Sequence, residues 1–356
     1  MPETDVLKSS YPALASQLPR MPLATLPTAV EDLAVRFGKA RQISVKYDNL
    51  TGDLYGGNKV RKLEYILARA KERGARRIAT FGAVGSNHAL ATAIYARHAG
   101  FACTCFLSHQ ARTPQVSATL RKHLEIGTEI VRYGGAYRTR IQTLSRHLRN
   151  RHAWVIPMGG SSWLGTVGFV GAGLELAGQI RAGEVSAPER IYVGSGTMGT
   201  AAGIALGLAM AGIECEVHAV RVSDLSIMNE KAFDHLMQKT ALMMRDLDAS
   251  IPHDIAARTR VRIRHDLFGP GYAKGTDATD EAIAFAKHEL ALNLETTYTG
   301  KTLAAVLADW RNGTGDARVL YWHTYNSVPL VAPALDEVDL AGLPEEFLKY
   351  LDQPVG

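Results

Sequence analysis

Gly-Gly-Asn-Lys-Val-Arg-Lys-Leu-Glu-Tyr, residues 56–65, carries a glycine-rich turn directly into a helical pattern. Gly56 and Gly57 permit backbone angles closed to other residues, and Asn58 is a residue type favoured as a helix N-cap. Leu63, Ile66 and Leu67 then supply an apolar stripe at helical spacing. Lys59 therefore stands where a loop becomes a helix, an amine fixed in direction as a Schiff-base nucleophile requires. A plainer reading makes this an ordinary capped helix whose Lys59, Arg61 and Lys62 form a solvated face. The segment alone leaves both readings open.

Outward from it, short apolar runs alternate with helical patterns along most of the chain. Strands are expected at 43–47, 77–81, 102–107, 129–132, 154–156, 190–193, 216–220 and 318–322. Helices are expected at 59–72, 87–99, 114–125, 137–149, 167–182, 198–211, 277–290 and 301–311. This alternation predicts an α/β protein with open parallel sheets flanked by helices. Residues 223–264 read as helical, with Met228, Met237, Met243 and Met244 as core positions. Met158-Gly-Gly-Ser-Ser162 is the expected crossing between two domains.

The 356 residues, 46% of them hydrophobic, suffice for two domains. A net charge of +5 spread along the chain, with 7% aromatic residues, lacks the clustered basic face of a nucleic-acid binder. Cys103, Cys105 and Cys215 are too few and too apolar in setting for a disulfide framework, which points to a reducing, cytoplasmic compartment. The first residues, with Glu3 and Asp5, do not read as a signal peptide. No run approaches the roughly 18 apolar residues of a membrane span.

In parallel α/β sheets, ligands gather where strands end and helices begin. Gly82-Ala-Val-Gly-Ser-Asn-His88 is such a loop, and Ser86, Asn87 and free N–H groups there could hold a carboxylate. Ser86 as a simple N-cap, and His88 as a structural histidine, are the alternatives. Gly194-Ser-Gly-Thr-Met-Gly-Thr200 is another, its small residues suited to closing backbone amides around a phosphate. It also matches the dinucleotide fingerprint, but the next strand leads into Arg221 rather than the acidic residue that a ribose requires. No His-x-x-x-His or Cys-x-x-Cys spacing suggests a metal site, and no Gly-x-Ser-x-Gly elbow suggests a hydrolase. Tyr272 and Tyr298 lie in loops where a phenol could transfer protons or simply pack.

Taken in order, these segments resemble the D-cysteine desulfhydrase and 1-aminocyclopropane-1-carboxylate deaminase family of pyridoxal-phosphate enzymes, of the tryptophan-synthase-β-like fold (fold type II). The resemblance runs from about Ile43 to Trp322, and its most specific piece is Asp48 to Tyr65. Gly85-Ser-Asn-His88, the Gly194–Thr200 loop and Tyr298-Thr-Gly-Lys301 follow in family order. By position it implies Lys59 as the Schiff-base lysine and Asn87 as partner of the cofactor's phenolic oxygen. Ser195, Gly196, Thr197, Met198, Gly199 and Thr200 would hold its phosphate, and Thr324 could reach the pyridine nitrogen. Ser86, Asn87 and His88 would receive the substrate carboxylate, with Tyr272 and Tyr298 facing the substrate. The family fold implies a small domain, residues 60–165, inserted in a large one, residues 1–59 and 166–356, and a homodimer.

The implied activity is a lyase or deaminase reaction on a small or modified amino acid, with β-elimination on D-cysteine the leading case. Cyclopropane ring opening, a cofactor binder without turnover and an NADP-dependent oxidoreductase are the rivals. Several residues depart from the family pattern. Thr299 stands where the deaminase branch has Glu, which argues against ring opening. Lys46-Tyr-Asp-Asn49 replaces Lys-Arg-Asp-Asp, Thr296-Thr297 replaces Asp-Pro, and His323-Thr-Tyr-Asn326 replaces His-Thr-Gly-Gly.

Overall fold

The computed structural model describes residues 6–149, 151–313 and 317–351. Ten strands are present among them: β1 (Val30–Phe37), β2 (Lys39–Lys46), β3 (Arg77–Ala83), β4 (Ala102–Ser108), β5 (Glu129–Arg132), β6 (Ala153–Val155), β7 (Arg190–Ser195), β8 (Glu216–Arg221), β9 (Arg260–Arg264) and β10 (Val319–Trp322). They form a six-stranded sheet ordered β1-β2-β10-β7-β8-β9 and a four-stranded sheet ordered β5-β4-β3-β6. Every pairing is parallel except β1 with β2. Those two form a hairpin through Gly38, whose φ of 69° is readily taken only by glycine.

All eight expected strands and all eight expected helices are present, with ends shifted by a few residues. Two strands depart from expectation. β1 alternates buried Val30 and Val35 with exposed Glu31, Asp32 and Arg36, so it lacks an apolar run. β9, Arg-Val-Arg-Ile-Arg, falls inside the segment expected to be helical. The helix there is Glu230–Leu247, and β9 closes the sheet edge instead. Short alternating strands at sheet edges keep charged side chains toward water.

The helices Trp163–Arg181 and Gly199–Met210 are buried along most of their length behind the larger sheet. Gly173 and Gly207 face each other, and a Cβ on Gly173 would lie 2.9 Å from the Gly207 Cα. A Cβ at Gly168 would overlap the Arg61 carbonyl oxygen, so this glycine lets Trp163–Arg181 rest on the first turn of Lys59–Glu72. The start of that helix is thereby fixed against the large core. Around the smaller sheet, Leu343, Phe347, Tyr350 and Leu351 join Phe101, Cys103 and Leu107 in one core. The described C-terminal residues thus cover the smaller sheet.

Candidate active site

Asn58 does not cap the helix that follows. Its φ of −62° and ψ of −11° are already helical, and its side chain makes no capping bond. Its Nδ2 instead donates to Thr200 Oγ1 at 3.0 Å, and its Oδ1 accepts from Lys59 Nζ at 2.7 Å. One side chain therefore ties the lysine to the glycine loop. Lys59 retains some contact with cavity solvent but is enclosed by neighbours. Burial, partly opposed by Glu295, brings its amine down to about 8.

The solvated-face reading of Arg61 and Lys62 fails, since both are buried, at 1% and 2% exposure. Arg61 joins an ion-pair network behind the site. Lys62 turns toward the glycine loop, with Nζ donating to the Gly159 carbonyl at 3.1 Å and to Ser161 Oγ at 3.2 Å. Burial, then the charge of Lys59, holds its amine well below the ordinary lysine range.

Ser86 is the N-cap of Asn87–His98, its Oγ accepting from the Ala89 N–H at 3.3 Å. That leaves the N–H groups of Asn87 and His88 at the open end of the helix. The Asn87 side chain accepts from the Tyr55 hydroxyl. His88 is buried, with Nε2 2.8 Å from Thr80 Oγ1 and Nδ1 3.5 Å from Thr92 Oγ1. Burial and the charges of Lys59 and Lys62 push its imidazole well below the usual range, so it is neutral. Through its ring His88 braces the loop, and only its backbone N–H is free for a ligand.

The glycine loop turns at Met198, with φ of 69°, into Gly199–Met210. Thr197 Oγ1 lies 2.8 Å from Ser161 Oγ, which also accepts from the Gly199 N–H at 3.2 Å. Ser195 Oγ is buried without a partner among the described residues. A Cβ at Gly196 would stand 3.1 Å from the Tyr298 hydroxyl, and one at Gly199 3.0 Å from Lys62 Nζ.

The rings of Tyr272 and Tyr298 meet edge to face with centroids 6.2 Å apart, and Lys59 Nζ lies 5.9 Å from the Tyr298 ring centre. Burial raises both phenols above their usual range, Tyr298 further through its neighbour Tyr272, so they are proton donors at neutral pH. Lys301 steadies the Tyr272 loop by donating to the carbonyls of Phe268 at 2.5 Å and Gly271 at 3.1 Å. Thr299 turns away, its hydroxyl donating to Glu295 Oε1 at 3.0 Å.

A single cavity is lined by Lys59, Ser86, Asn87, His88, Ser195, Gly196, Thr197, Met198, Thr200, Tyr272, Tyr298 and Thr324. Of the expected site residues only Gly199 lies outside the lining, one layer back against Ser161 and Lys62. Sequence reasoning set Gly159 and Ser161 in a domain crossing and Lys62 on a solvated face, and gave Lys301 no separate role, because their parts depend on contacts across the fold. The cavity suits an anionic aldehyde cofactor. An unpartnered buried hydroxyl, a helix N-terminus and the Lys62 amine line this cavity together with the nucleophilic amine of Lys59.

Comparison with known proteins agrees. A family model described as pyridoxal-phosphate dependent enzyme matches residues 20–324. D-cysteine desulfhydrase of Salmonella paratyphi A is 30% identical over 335 residues, covering 89% of this chain and 97% of the relative. A solved structure of an ACC deaminase homologue has a TM-score of 0.73 at 25% identity, over 91% of this chain and 95% of that one. A hydrogen sulfide-producing enzyme from Fusobacterium nucleatum shares the fold, with a TM-score of 0.57 at 15% identity over 87% and 91% of the two chains. The chain belongs to the pyridoxal-phosphate dependent enzymes, within their D-cysteine desulfhydrase and ACC deaminase family.

Proposed function

We propose that this protein catalyses β-elimination on D-cysteine, which with water yields pyruvate, hydrogen sulfide and ammonia. The carrying observation is the Lys59 amine, depressed to about 8, in a cavity bounded by the Ser86 loop, the glycine loop and a tyrosine pair. Pyridoxal phosphate, when bound, withdraws electrons from the substrate Cα. In this reading Ser195 Oγ, the N–H groups of residues 196–198 and 200, and Lys62 would hold the phosphate, and Thr324 would reach the pyridine nitrogen, while the Gly199 N–H stays with Ser161. The Asn87 amide, its oxygen already bonded by the Tyr55 hydroxyl, would donate to the phenolic oxygen. Ser86 and the N–H groups of Asn87 and His88 receive the substrate carboxylate. Lys59 holds the cofactor at rest and, once released, accepts the Cα proton. Tyr298 or Tyr272, kept protonated by burial, gives a proton to the departing thiolate. Thr299, occupied by Glu295, offers no carboxylate to the pyridine ring, which disfavours cyclopropane ring opening.

The division proposed for the chain is a small domain of residues 60–165 set within the remainder, with the cofactor between them. A cytoplasmic homodimer completes the reading, and light scattering of the purified protein tests the dimer. Among the described residues no helix is long and apolar enough to cross a membrane.

A panel of D- and L-amino acids assayed for keto acid, sulfide and ammonia decides the activity. D-cysteine is expected to react fastest. Turnover of 1-aminocyclopropane-1-carboxylate alone would replace this reading with ring opening, and cofactor binding without any turnover would leave a silent binder.

A second expectation concerns pH. Only the neutral amine attacks an aldehyde, so cofactor capture by the cofactor-free protein should rise with pH around a midpoint near 8. At pH 7 about a tenth of the amine would be neutral, against less than about 0.1% at an ordinary lysine. Stopped-flow absorbance across pH 6–10 measures this, and a rate still rising about tenfold per pH unit from 9 to 10 would contradict the burial argument.

A further inference from the structure

Tyr325, where the resemblance implies a glycine, lines the same cavity as Lys59, Ser86, Asn87, Tyr272 and Tyr298. Its position is built in rather than incidental. The carbonyl of Thr324 accepts from the Asn58 N–H at 3.0 Å. Asn326 Oδ1 accepts from the Gly56 N–H at 2.6 Å and from the Val328 N–H at 3.0 Å. Asn49 Nδ2 donates to Ser327 Oγ at 2.9 Å, and the Ser327 N–H reaches the Asn49 carbonyl at 3.1 Å. Three departures from the family pattern, Asn49, Tyr325 and Asn326, therefore belong to one pair of loops braced against each other. That pair includes the turn leading into Lys59, so Tyr325 is fixed relative to the lysine.

Beyond burial, Glu295 and Tyr272 are near enough to raise the Tyr325 phenol, and it in turn raises that of Tyr55, the partner of Asn87. Tyr325 shares one cavity with the proposed proton donors and the carboxylate loop. Burial raises its phenol, which is a donor at neutral pH and carries no hydrogen bond among the described residues. Its ring takes up room in the cavity that the Lys59 amine also lines.

We propose that Tyr325 is a specificity-determining residue, admitting amino acids whose β-substituent is a bare thiol or hydroxyl and rejecting S-alkylated ones, with its hydroxyl donating to that substituent. This inference rests on the reading of the cavity as the site of β-elimination.

The test compares wild type, Tyr325→Ala, Tyr325→Gly and Tyr325→Phe on D-cysteine and S-ethyl-D-cysteine. Both kcat/KM and calorimetric Kd are measured on cofactor-loaded protein. Wild type should favour D-cysteine by at least about tenfold, the scale set by one or two methylenes in a closed pocket. Removing the ring in the Ala or Gly variant should move that ratio toward S-ethyl-D-cysteine by about tenfold or more. Tyr325→Phe should keep the size preference and lower kcat/KM for D-cysteine by about two- to tenfold, the share of one hydrogen bond. A ratio unmoved in both truncations, in turnover and in Kd, overturns the proposal while leaving β-elimination standing. Wild type that neither binds nor converts any amino acid overturns the functional reading, and this inference with it.

Discussion

Lys59→Ala, purified with excess pyridoxal phosphate, is expected to show no visible Schiff-base band and a fall in turnover of roughly 10³-fold or more. Lys62→Ala should retain the band at saturating cofactor but need about tenfold more of it, as when a charged hydrogen bond to phosphate is lost. The contrast is informative because the two amines line one cavity and burial depresses both. Only Lys59 reaches Asn58 Oδ1 and lies over Tyr298, whereas Lys62 is committed to Gly159 and Ser161. Stability gives an independent check. With a folded value near 8, well under that of an exposed lysine, folding is penalised for holding this amine as a cation. The penalty is fully present below about pH 8 and fades as pH rises toward the unfolded value of about 10.4. Lys59→Ala should therefore unfold no more easily than wild type at pH 7, as expected where function is held at the cost of stability. A band surviving in Lys59→Ala, or vanishing in Lys62→Ala at saturating cofactor, would defeat the assignment.

What could be read from the sequence divides along a physical line. Segments whose local pattern matches their final environment were legible: β5 at Glu129–Arg132 and the helices Lys59–Glu72 and Pro114–Glu125 have the expected ends. The loops that shape the cavity were legible for the same reason, because glycines and hydroxyl residues between a strand and a helix have few other uses. Illegible were residues whose role comes from distant partners. Lys46, Arg61, Lys62 and Lys301 are charged and suggest water by type, yet all are buried by pairing with residues far along the chain. Asn58 is of a capping residue type yet makes no capping bond, because its amide links Lys59 to Thr200. Edge strands β1 and β9 alternate with charge and lack the apolar runs by which interior strands declare themselves.

The buried charges around Arg61 hold the helix bearing Lys59, and Glu175→Gln is expected to expose this by destabilising the protein by about 3–5 kcal/mol. Glu175 Oε1 accepts from Lys46 Nζ at 2.6 Å and from Arg61 Nη2 at 2.9 Å, and its Oε2 accepts from Arg61 Nη1 at 3.0 Å. Asp48 takes the rest of the guanidinium at 2.8 and 3.1 Å, and Trp322 Nε1 at 2.9 Å. Two cations thus face two carboxylates out of water, and the set is neutral. Burial alone would raise Glu175, yet Arg61 and Lys46 bring it down to about 2. Its contribution is in force above the unfolded value of about 4.3 and is lost as pH falls toward 2. Amidation at Gln leaves one positive charge buried and unmatched, which accounts for the size of the expected loss. Adding Lys46→Met removes the surplus cation and leaves Arg61 with Asp48. The double variant should accordingly recover at least about 1 kcal/mol, a non-additivity that independent sites would not show. Urea unfolding of wild type, the two single variants and the double variant measures the cycle. If Glu175→Gln costs under about 1 kcal/mol, or the two losses simply add, the network does not anchor the start of the lysine helix.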